Sequence, residues 1–400
     1  MYCDDRNWGG VVAYTVSLVR GLGREGIEAT LVVPEYQTWQ DDPRTAGATI
    51  HCLRPRPPAS AANPADASPP SPAVSRGRRL RPPESIRWTL GAIREARHVQ
   101  RLLAGVDADL VHVQACGAET AILGARWARR GRPVVSTFHI LPAYVSPVRQ
   151  ATPGYRLLQH LNMRSFDRAI AVCEAGRAAW AAEVGGAALA SRVDVVHNGC
   201  QRPPALPPRH AARAALGVPD NAPVWLNVAG YATYKGHAVL IDAMTTVAAT
   251  FPDLRLLLAG GGPLEADLRA RIAERGLERN VELLGYRADI DHLAAAADFY
   301  VQSSLLEAFP ITLLEMGARG LPVVSSAAGG IPELIRDGVD GRLVPTHDAP
   351  ALAQAMIGMT ARPAEARAFG ESLQRRVLGG FLEEHMVTAT AAVYRRVLDR

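Results

Sequence analysis

Short apolar runs alternate with longer amphipathic stretches along almost the whole chain. The first series is EATLVV (28–33), ATIHC (48–52), DLVHV (109–113), PVVSTF (133–138), RAIAV (168–172) and VDVV (193–196). A second series follows: VWLNVA (224–229), LRLLLA (254–259), VELL (281–284), DFYVQ (298–302), PVVS (322–325) and GRLVP (341–345). These runs are continuously apolar and do not alternate with polar residues. Strands of that kind are buried on both faces, as in parallel sheets covered by helices. The stretches between them supply right-handed helical crossovers. The pattern predicts an α/β fold of two doubly wound, Rossmann-like domains. A domain of this kind ordinarily opens with a strand that feeds its first glycine turn. Only Met1 to Cys3 precede the acidic stretch before Gly9, so that strand is either cut short or lies upstream.

The segment 201–223, QRPPALPPRHAARAALGVPDNAP, separates the two series and reads as the interdomain linker. An earlier segment, 54–83, holds proline, alanine, serine and arginine without periodicity, and reads as a mobile insertion. Its arginines could meet an anionic lipid or substrate, or simply face solvent. At 400 residues the chain has room for two α/β domains of about 200 each. Hydrophobic residues make up 48% and charged residues 21%, which excludes a disordered or collagen-like chain. No apolar run approaches the ~18 residues of a membrane span. The first ten residues are polar and acidic and do not read as a secretory signal. Five cysteines are scattered without a CxxC pair, as expected of reduced thiols in the cytoplasm. The net charge of +5 leaves room for peripheral contact with the inner face of a membrane. Lys235 is the only lysine among 44 Lys and Arg residues, so its retention against a strong arginine bias singles it out.

In open α/β sheets ligands bind beyond the carboxyl ends of the strands, and four segments fall at such turns. Trp8-Gly9-Gly10 opens a helix, where glycine lets the backbone approach a phosphate or sugar; a plain turn explains it equally. His139 follows the strand PVVSTF, where an imidazole can meet a ligand hydroxyl or serve the fold. Lys235-Gly236 follows the strand VWLNVA and leads into a helix beginning at His237, a suitable place for a diphosphate. In SSLLEAFPITLLEMGARG (303–320), Glu307 precedes a helix that Pro310 starts, and Glu315 lies about one turn inside it. Two carboxylates suit the hydroxyls of a sugar and a ribose, and the free N–H groups of Ile311, Thr312 and Leu313 suit phosphate oxygens. Ordinary helix-dipole partners would also explain the two glutamates.

Taken together, the order KGH, AGGGP, LLGY, S-x3-E-AFP-x4-E and GGIPELI resembles the family 4 retaining glycosyltransferases of the GT-B fold. The resemblance is strongest over 224–345. WGG, GREGIEATLVVP, DLVHVQ, STFH, FDRAIAV and VVHNG extend it more weakly through the first half. It implies two Rossmann-like domains facing each other across a cleft. Residues 1–200 would form the acceptor side, 201–222 the linker and 223–372 the nucleotide-sugar side, with 373–400 a C-terminal helix packing back toward the first domain. The resemblance implies that Gly9 and Gly10 lie near the donor phosphates and acceptor, and His139 near the transferred sugar. Lys235 would hold the diphosphate, Glu307 the transferred sugar and Glu315 the ribose. Phe309, Pro310, Ile311, Thr312 and Leu313 would contribute backbone contacts, and Tyr286 with Arg287 would lie by the base. His139, Lys235 and Glu307 are thus the expected catalytic group. The donor would be a UDP- or GDP-sugar, acting as substrate, and the acceptor a small molecule or a lipid or cell-wall precursor. No cofactor and no metal are expected.

Several departures accompany the resemblance, among them NGC at Asn198 to Cys200 where NGVD is usual. The arginine usual about five residues before the lysine is replaced at Gly230-Tyr231. EAFP stands where EGFG or EGFP is usual, and Cys173 stands at a common serine. A nucleotide-sugar 2-epimerase of the same fold is the alternative enzyme. A basic nucleic-acid-binding protein is the alternative outside enzymes, but aromatics are only 6% and the arginines are spread along the chain, so no nucleic-acid partner is expected.

Overall fold

The computed structural model describes residues 10–33, 45–52, 84–115, 120–128, 131–144 and 153–399. Gly9 and the 54–83 insertion lie outside these described residues. The described residues build three all-parallel groups of strands. Strands β1 (Leu31–Val33) and β2 (Ile50–Cys52) pair with each other. Strands β3 (Val111–Ala115), β4 (Val134–Phe138), β5 (Arg168–Ala171) and β6 (Val193–Val195) form a four-stranded sheet in sequential order. Strands β7 (Val224–Val228), β8 (Arg255–Ala259), β9 (Val281–Gly285), β10 (Phe299–Gln302), β11 (Val323–Ser326) and β12 (Arg342–Val344) form a six-stranded sheet, ordered β12-β11-β10-β7-β8-β9.

The continuous apolar runs become strands because both faces of each sheet are covered. In the four-stranded sheet, Val111, Val113, Val134 and Ala169 pack against Ile122, Ala125 and Trp180. Val135 and Ile170 on the other face meet Tyr14, Leu18, Met386 and Tyr394. In the six-stranded sheet, Leu226, Leu257, Tyr300 and Val323 face Leu313, Met316 and Leu373. Trp225, Leu256, Leu258, Val301 and Val324 face Leu240, Met244, Leu352 and Met356. Each such aliphatic side chain withdrawn from water contributes roughly 1.5–3 kcal/mol.

Proline explains where some strands start. Pro133 has no N–H to donate, so the β3–β4 ladder opens at Val111↔Val134, with Val111 N–H donating to Pro133 O at 3.1 Å. Strand β3 therefore runs two residues later than the apolar run at 109–113 implies.

The chain crosses between the two sheets twice, and the crossings hold each other. Cys200 N–H donates to Phe381 O at 3.0 Å, and Glu383 N–H donates to Cys200 O at 2.9 Å. The final helix, Glu383–Leu398, then lies against the helix Gly10–Leu22, through Met386, Val387, Ala391 and Tyr394. The helix before it spans Pro363–Gly380 without interruption, so the expected boundary at 372/373 falls inside a helix. The reason is packing: Leu373 and Val377, one turn apart, continue the apolar stripe that meets Gly317. Among the described residues no helix is long and apolar enough to cross a membrane.

The docking of the last helix on the first depends on glycine at 21. A Cβ built there would stand 2.5 Å from Val387 Cγ2, whereas one at Gly23 would meet nothing within 4 Å. Gly21→Ala should cost about 1–3 kcal/mol through overpacking, and Gly23→Ala should stay within about 0.5 kcal/mol of the parent. Urea denaturation of the two variants checks this. Equal stabilities would mean that the helix pair does not pack as described.

Candidate active site

Strands β10 and β7 are neighbours in the six-stranded sheet, and the strand order reverses between them. The crevice beyond their carboxyl ends is where a doubly wound sheet takes its ligand. Loop 229–236 leaves β7 and loop 303–310 leaves β10. They bring together two residues 72 positions apart: Lys235 Nζ donates to Glu307 Oε2 at 2.6 Å. The two side chains are 19% and 10% exposed, so the pair is largely, but not wholly, removed from water. Ser304 Oγ donates to the same carboxylate oxygen at 3.2 Å.

The loops come this close because glycine permits it. Gly236 has φ +69°, and a Cβ there would stand 2.0 Å from Ser303 O. Gly329 has φ +52°, and a Cβ there would stand 1.7 Å from Glu307 O. Hydrogen bonds complete the junction: Leu305 N–H to Tyr234 O at 2.8 Å, Ser303 Oγ to Lys235 O at 3.0 Å and Gly330 N–H to Ala308 O at 2.9 Å.

The helix Ile311–Ala318 starts at the same place, with Pro310 at its N-cap and no side chain capping its first turn. Its positive end therefore faces the crevice with main-chain N–H groups to offer. Glu315 is half-buried inside this helix. Burial first, and then the charges of Glu315 and Glu307, push the Tyr300 hydroxyl above its ordinary value. Gly10 begins the helix Gly10–Leu22 across the crevice, and its missing Cβ would lie 3.8 Å from Ile311 Cδ1. Two helix N-termini, one from each half, thus meet at this point.

His139 follows β4 in the four-stranded half. It is 9% exposed, and its Nε2 lies 2.6 Å from Gln114 Oε1. The ring of Tyr14 meets it edge-on at 4.6 Å. Burial pushes its imidazole down to about 3, so it is neutral at physiological pH.

Not every expected side chain points at the crevice. Phe309 is buried, stacked on Phe381 at 5.7 Å and tilted against His197 at 4.6 Å. Leu313 belongs to the core. Both remain available to a ligand only through the main chain, and the Phe309 carbonyl is already taken by Asn198 Nδ2 at 2.6 Å. Arg287 follows β9, two strands from β7, and is held by Asp289 through two bonds of 2.7 and 2.6 Å. Tyr286 beside it is 63% exposed. Gly9 lies outside the described residues. Among those residues no group of three or more His, Cys, Asp or Glu side chains could hold a metal ion.

The contacts that join the halves were not assigned from sequence, although their motifs were visible as VVHNG and GGIPELI. Glu333, on the short helix Ile331–Leu334, accepts from the N–H groups of Glu174 and Ala175, each at 2.8 Å, and lies 2.8 Å from His197 Nε2. Burial alone would raise its carboxyl, but the bonds from His197, Ala175 and Glu174 outweigh that and hold it below the ordinary carboxylate range. Cys173 caps the helix Glu174–Trp180 by accepting from Gly176 N–H at 3.2 Å, as a serine hydroxyl at an N-cap would. Burial pushes its thiol up to about 12, so it stays protonated.

Two facing α/β halves, with a cation, a carboxylate and two helix N-termini in the crevice between them, have the architecture of the GT-B fold class. The profile of Glycosyl transferases group 1 matches residues 208–376, and that of Glycosyltransferase Family 4 matches 8–201. The chain belongs to this family, the family 4 glycosyltransferases. It is 35% identical over 216 residues to the D-inositol 3-phosphate glycosyltransferase of Mycolicibacterium paratuberculosis, covering 52% of this chain and 48% of that protein. The chain therefore spans about half the length of the curated relatives it matches. The crystal structure of Anabaena Alr3699/HepE in complex with UDP and glucose superposes with a TM-score of 0.77 at 20% identity, over 98% of each chain. Sucrose-phosphate synthase from Thermosynechococcus elongatus superposes with a TM-score of 0.75 at 22% identity, over 98% of this chain and 94% of that one.

Glu333 gives the clasp a pH signature. Its folded-state value is lowered, so its contribution is complete above the unfolded carboxylate value of about 4.3 and disappears as pH falls through the lower folded value. Glu333→Gln should lower stability by about 1.5–3 kcal/mol at pH 7, and the gap to the parent should close toward pH 3. Denaturation curves across that range test it; a gap independent of pH would mean that the ionised carboxylate is not what holds the halves.

Proposed function

We propose that the chain transfers a sugar from a nucleoside diphosphate-sugar, a UDP-sugar foremost and a GDP-sugar next, to an acceptor hydroxyl with retention at the anomeric carbon. The observation that carries this reading is the Lys235–Glu307 pair at the switch point of the six-stranded sheet, beside the start of the Ile311 helix. A donor supplies a partner for each group: diphosphate oxygens for Lys235 and the helix N–H groups, and sugar hydroxyls for Glu307. The pair then gives up its mutual contact for contacts to the ligand. The crystal structures of HepE in complex with UDP and glucose and with UDP-glucose support a UDP-sugar here.

In the reaction, the bond from the anomeric carbon to the diphosphate oxygen breaks. The acceptor oxygen forms the new bond on the same face, and its proton passes to the leaving diphosphate. Lys235 and the helix N-terminus stabilise the charge that develops on that diphosphate. The protein's other task is positioning. We place the donor in the half formed by residues 223–372 and the acceptor toward residues 1–200, joined by 201–222. His139, neutral at the cleft, offers a hydrogen bond to a sugar hydroxyl without adding charge. We place the protein in the cytoplasm, at most peripheral to the inner membrane face. Release of free UDP with a C2-inverted sugar, in the absence of acceptor, would instead indicate the epimerase.

A thermal-shift panel of UDP-, GDP-, ADP- and dTDP-sugars identifies the donor, since a ligand at 100 times its Kd stabilises by about 2.7 kcal/mol. With that donor, the two glutamates should separate kinetically. Glu315 is assigned to the ribose, which does not change during reaction, so Glu315→Gln should mainly raise KM. Glu307 is assigned to the transferred sugar, whose charge and shape change, so Glu307→Gln should mainly lower kcat. Each effect should be about 10- to 150-fold, the worth of a charge-assisted hydrogen bond. The reverse pattern would exchange the two ends of the ligand, and no effect from either would remove this segment from the donor site.

A further inference from the structure

Behind Glu307 lies a file of buried polar side chains that the reaction as described does not use. Tyr300 and Gln302 lie on one face of β10, and Ser304 follows just past its end. Tyr300 and Ser304 are 0% exposed, Gln302 is 1% and Glu307 7%. Tyr300 Oη is 2.7 Å from Gln302 Oε1, Gln302 Nε2 is 2.7 Å from Ser304 Oγ, and Ser304 Oγ is 3.2 Å from Glu307 Oε2.

An ionised Glu307 leaves this file one direction of donation. The carboxylate can only accept, so the Ser304 proton must go to it. Ser304 Oγ must then accept from Gln302, which places the Gln302 NH2 group toward the serine and its oxygen toward the tyrosine. Tyr300 has a single proton, and its 2.7 Å contact to Gln302 Oε1 takes it. The Tyr300 oxygen remains an acceptor for the Thr312 hydroxyl, 3.4 Å away in the first turn of the Ile311 helix. Every link thus donates toward the carboxylate. Lys235 donates to the same oxygen, so both donors converge on Oε2, and Oε1 takes no hydrogen bond among the described residues. Two further groups feel the carboxylate. Cys173 senses its charge from the cap of the Glu174 helix, and Glu315 shares the environment of Tyr300 with it.

We infer that Tyr300, Gln302 and Ser304 are positioning residues, forming a one-way hydrogen-bond relay that fixes the Glu307 carboxylate with Oε2 turned inward and Oε1 presented to the ligand. The relay also links the two ends of the crevice, since Thr312 at the helix start feeds the same file that ends on Glu307. Its catalytic consequence rests on the proposed contact between Glu307 and the transferred sugar. A relay in low-dielectric surroundings is cooperative: each donor polarises the next, and a cut near the carboxylate silences everything upstream.

That last property separates a relay from mere packing. The ligand-free, full-length protein is labelled with 13C at glutamate Cδ, and the Glu307 resonance is assigned by its loss in Glu307→Gln. Ser304→Ala should move the resonance. Tyr300→Phe should move it less, and should add nothing in the Ser304→Ala background. Gln302→Met, cut in the middle, should likewise make Tyr300→Phe silent, and it serves if Ser304→Ala does not fold. With UDP-glucose as probe and water as the surrogate acceptor, so that glucose of unchanged C2 configuration leaves with UDP, Ser304→Ala should slow the release of UDP and glucose about tenfold or more, and Tyr300→Phe about twofold. The affinity for UDP alone should stay within about twofold of the parent, since it has no sugar to meet Glu307. Additive effects of Tyr300→Phe and Ser304→Ala, or an unmoved resonance, would overturn the relay. A resonance that responds non-additively, in a protein that binds no UDP-, GDP-, ADP- or dTDP-sugar, would keep the relay and overturn the transferase reading.

Discussion

The close approach of main chain to main chain around Glu307 is the constraint on which the site depends. The backbone of 307–308 is pressed from one side by Gly329 and Gly330, where a side chain would fall 1.7 Å from Glu307 O and 2.3 Å from Ala308 O. Asn198 holds the next carbonyl, that of Phe309, from the other half of the molecule. With the loop gripped on both sides, the Glu307 side chain has a defined origin, and Lys235 can reach it from a separate loop. The ion pair is a consequence of that grip. An ion pair this far from water returns its desolvation cost only where geometry is good and further hydrogen bonds reach it, which Ser304 supplies.

The same grip connects the site to the architecture. Glu333 follows the two glycines by three residues and ties its segment to the Glu174 helix and to His197. The crossings at Cys200 and Phe381–Glu383 bond to each other beside these contacts. Whatever alters the angle between the halves therefore acts on the loop that carries Glu307. Gly10 and Ile311 meet across the same line, so the start of the first helix belongs to the same assembly.

Much of this fold was legible in the sequence because buried parallel strands write themselves as uninterrupted apolar runs. All the runs singled out became strands, with ends displaced where proline withheld a donor, as at Pro133 and Pro322. The positions of Lys235 and Glu307 at strand ends were also legible, since strand-loop-helix order places them. Their meeting was not, because it depends on which two of six strands lie side by side. Nor were Asn198 and Glu333 assignable, since their partners lie 111 and 136 to 159 residues away and no periodicity marks such a contact. The relay behind Glu307 was hidden for a different reason: Tyr300 and Gln302 sit in an apolar run whose pattern marks them only as buried. The position 372/373 lies inside a helix, because one amphipathic stripe continues through it to Val377.

The central claim is that Lys235 and its surroundings hold the diphosphate of a nucleotide-sugar. It is tested most directly by calorimetric titration of the parent and Lys235→Ala with UDP and with uridine. The account predicts that the substitution weakens UDP about tenfold or more, while uridine, which has no phosphate, changes by less than about twofold. Equal losses for both ligands, or a parent protein that binds no nucleoside diphosphate at all, would contradict it.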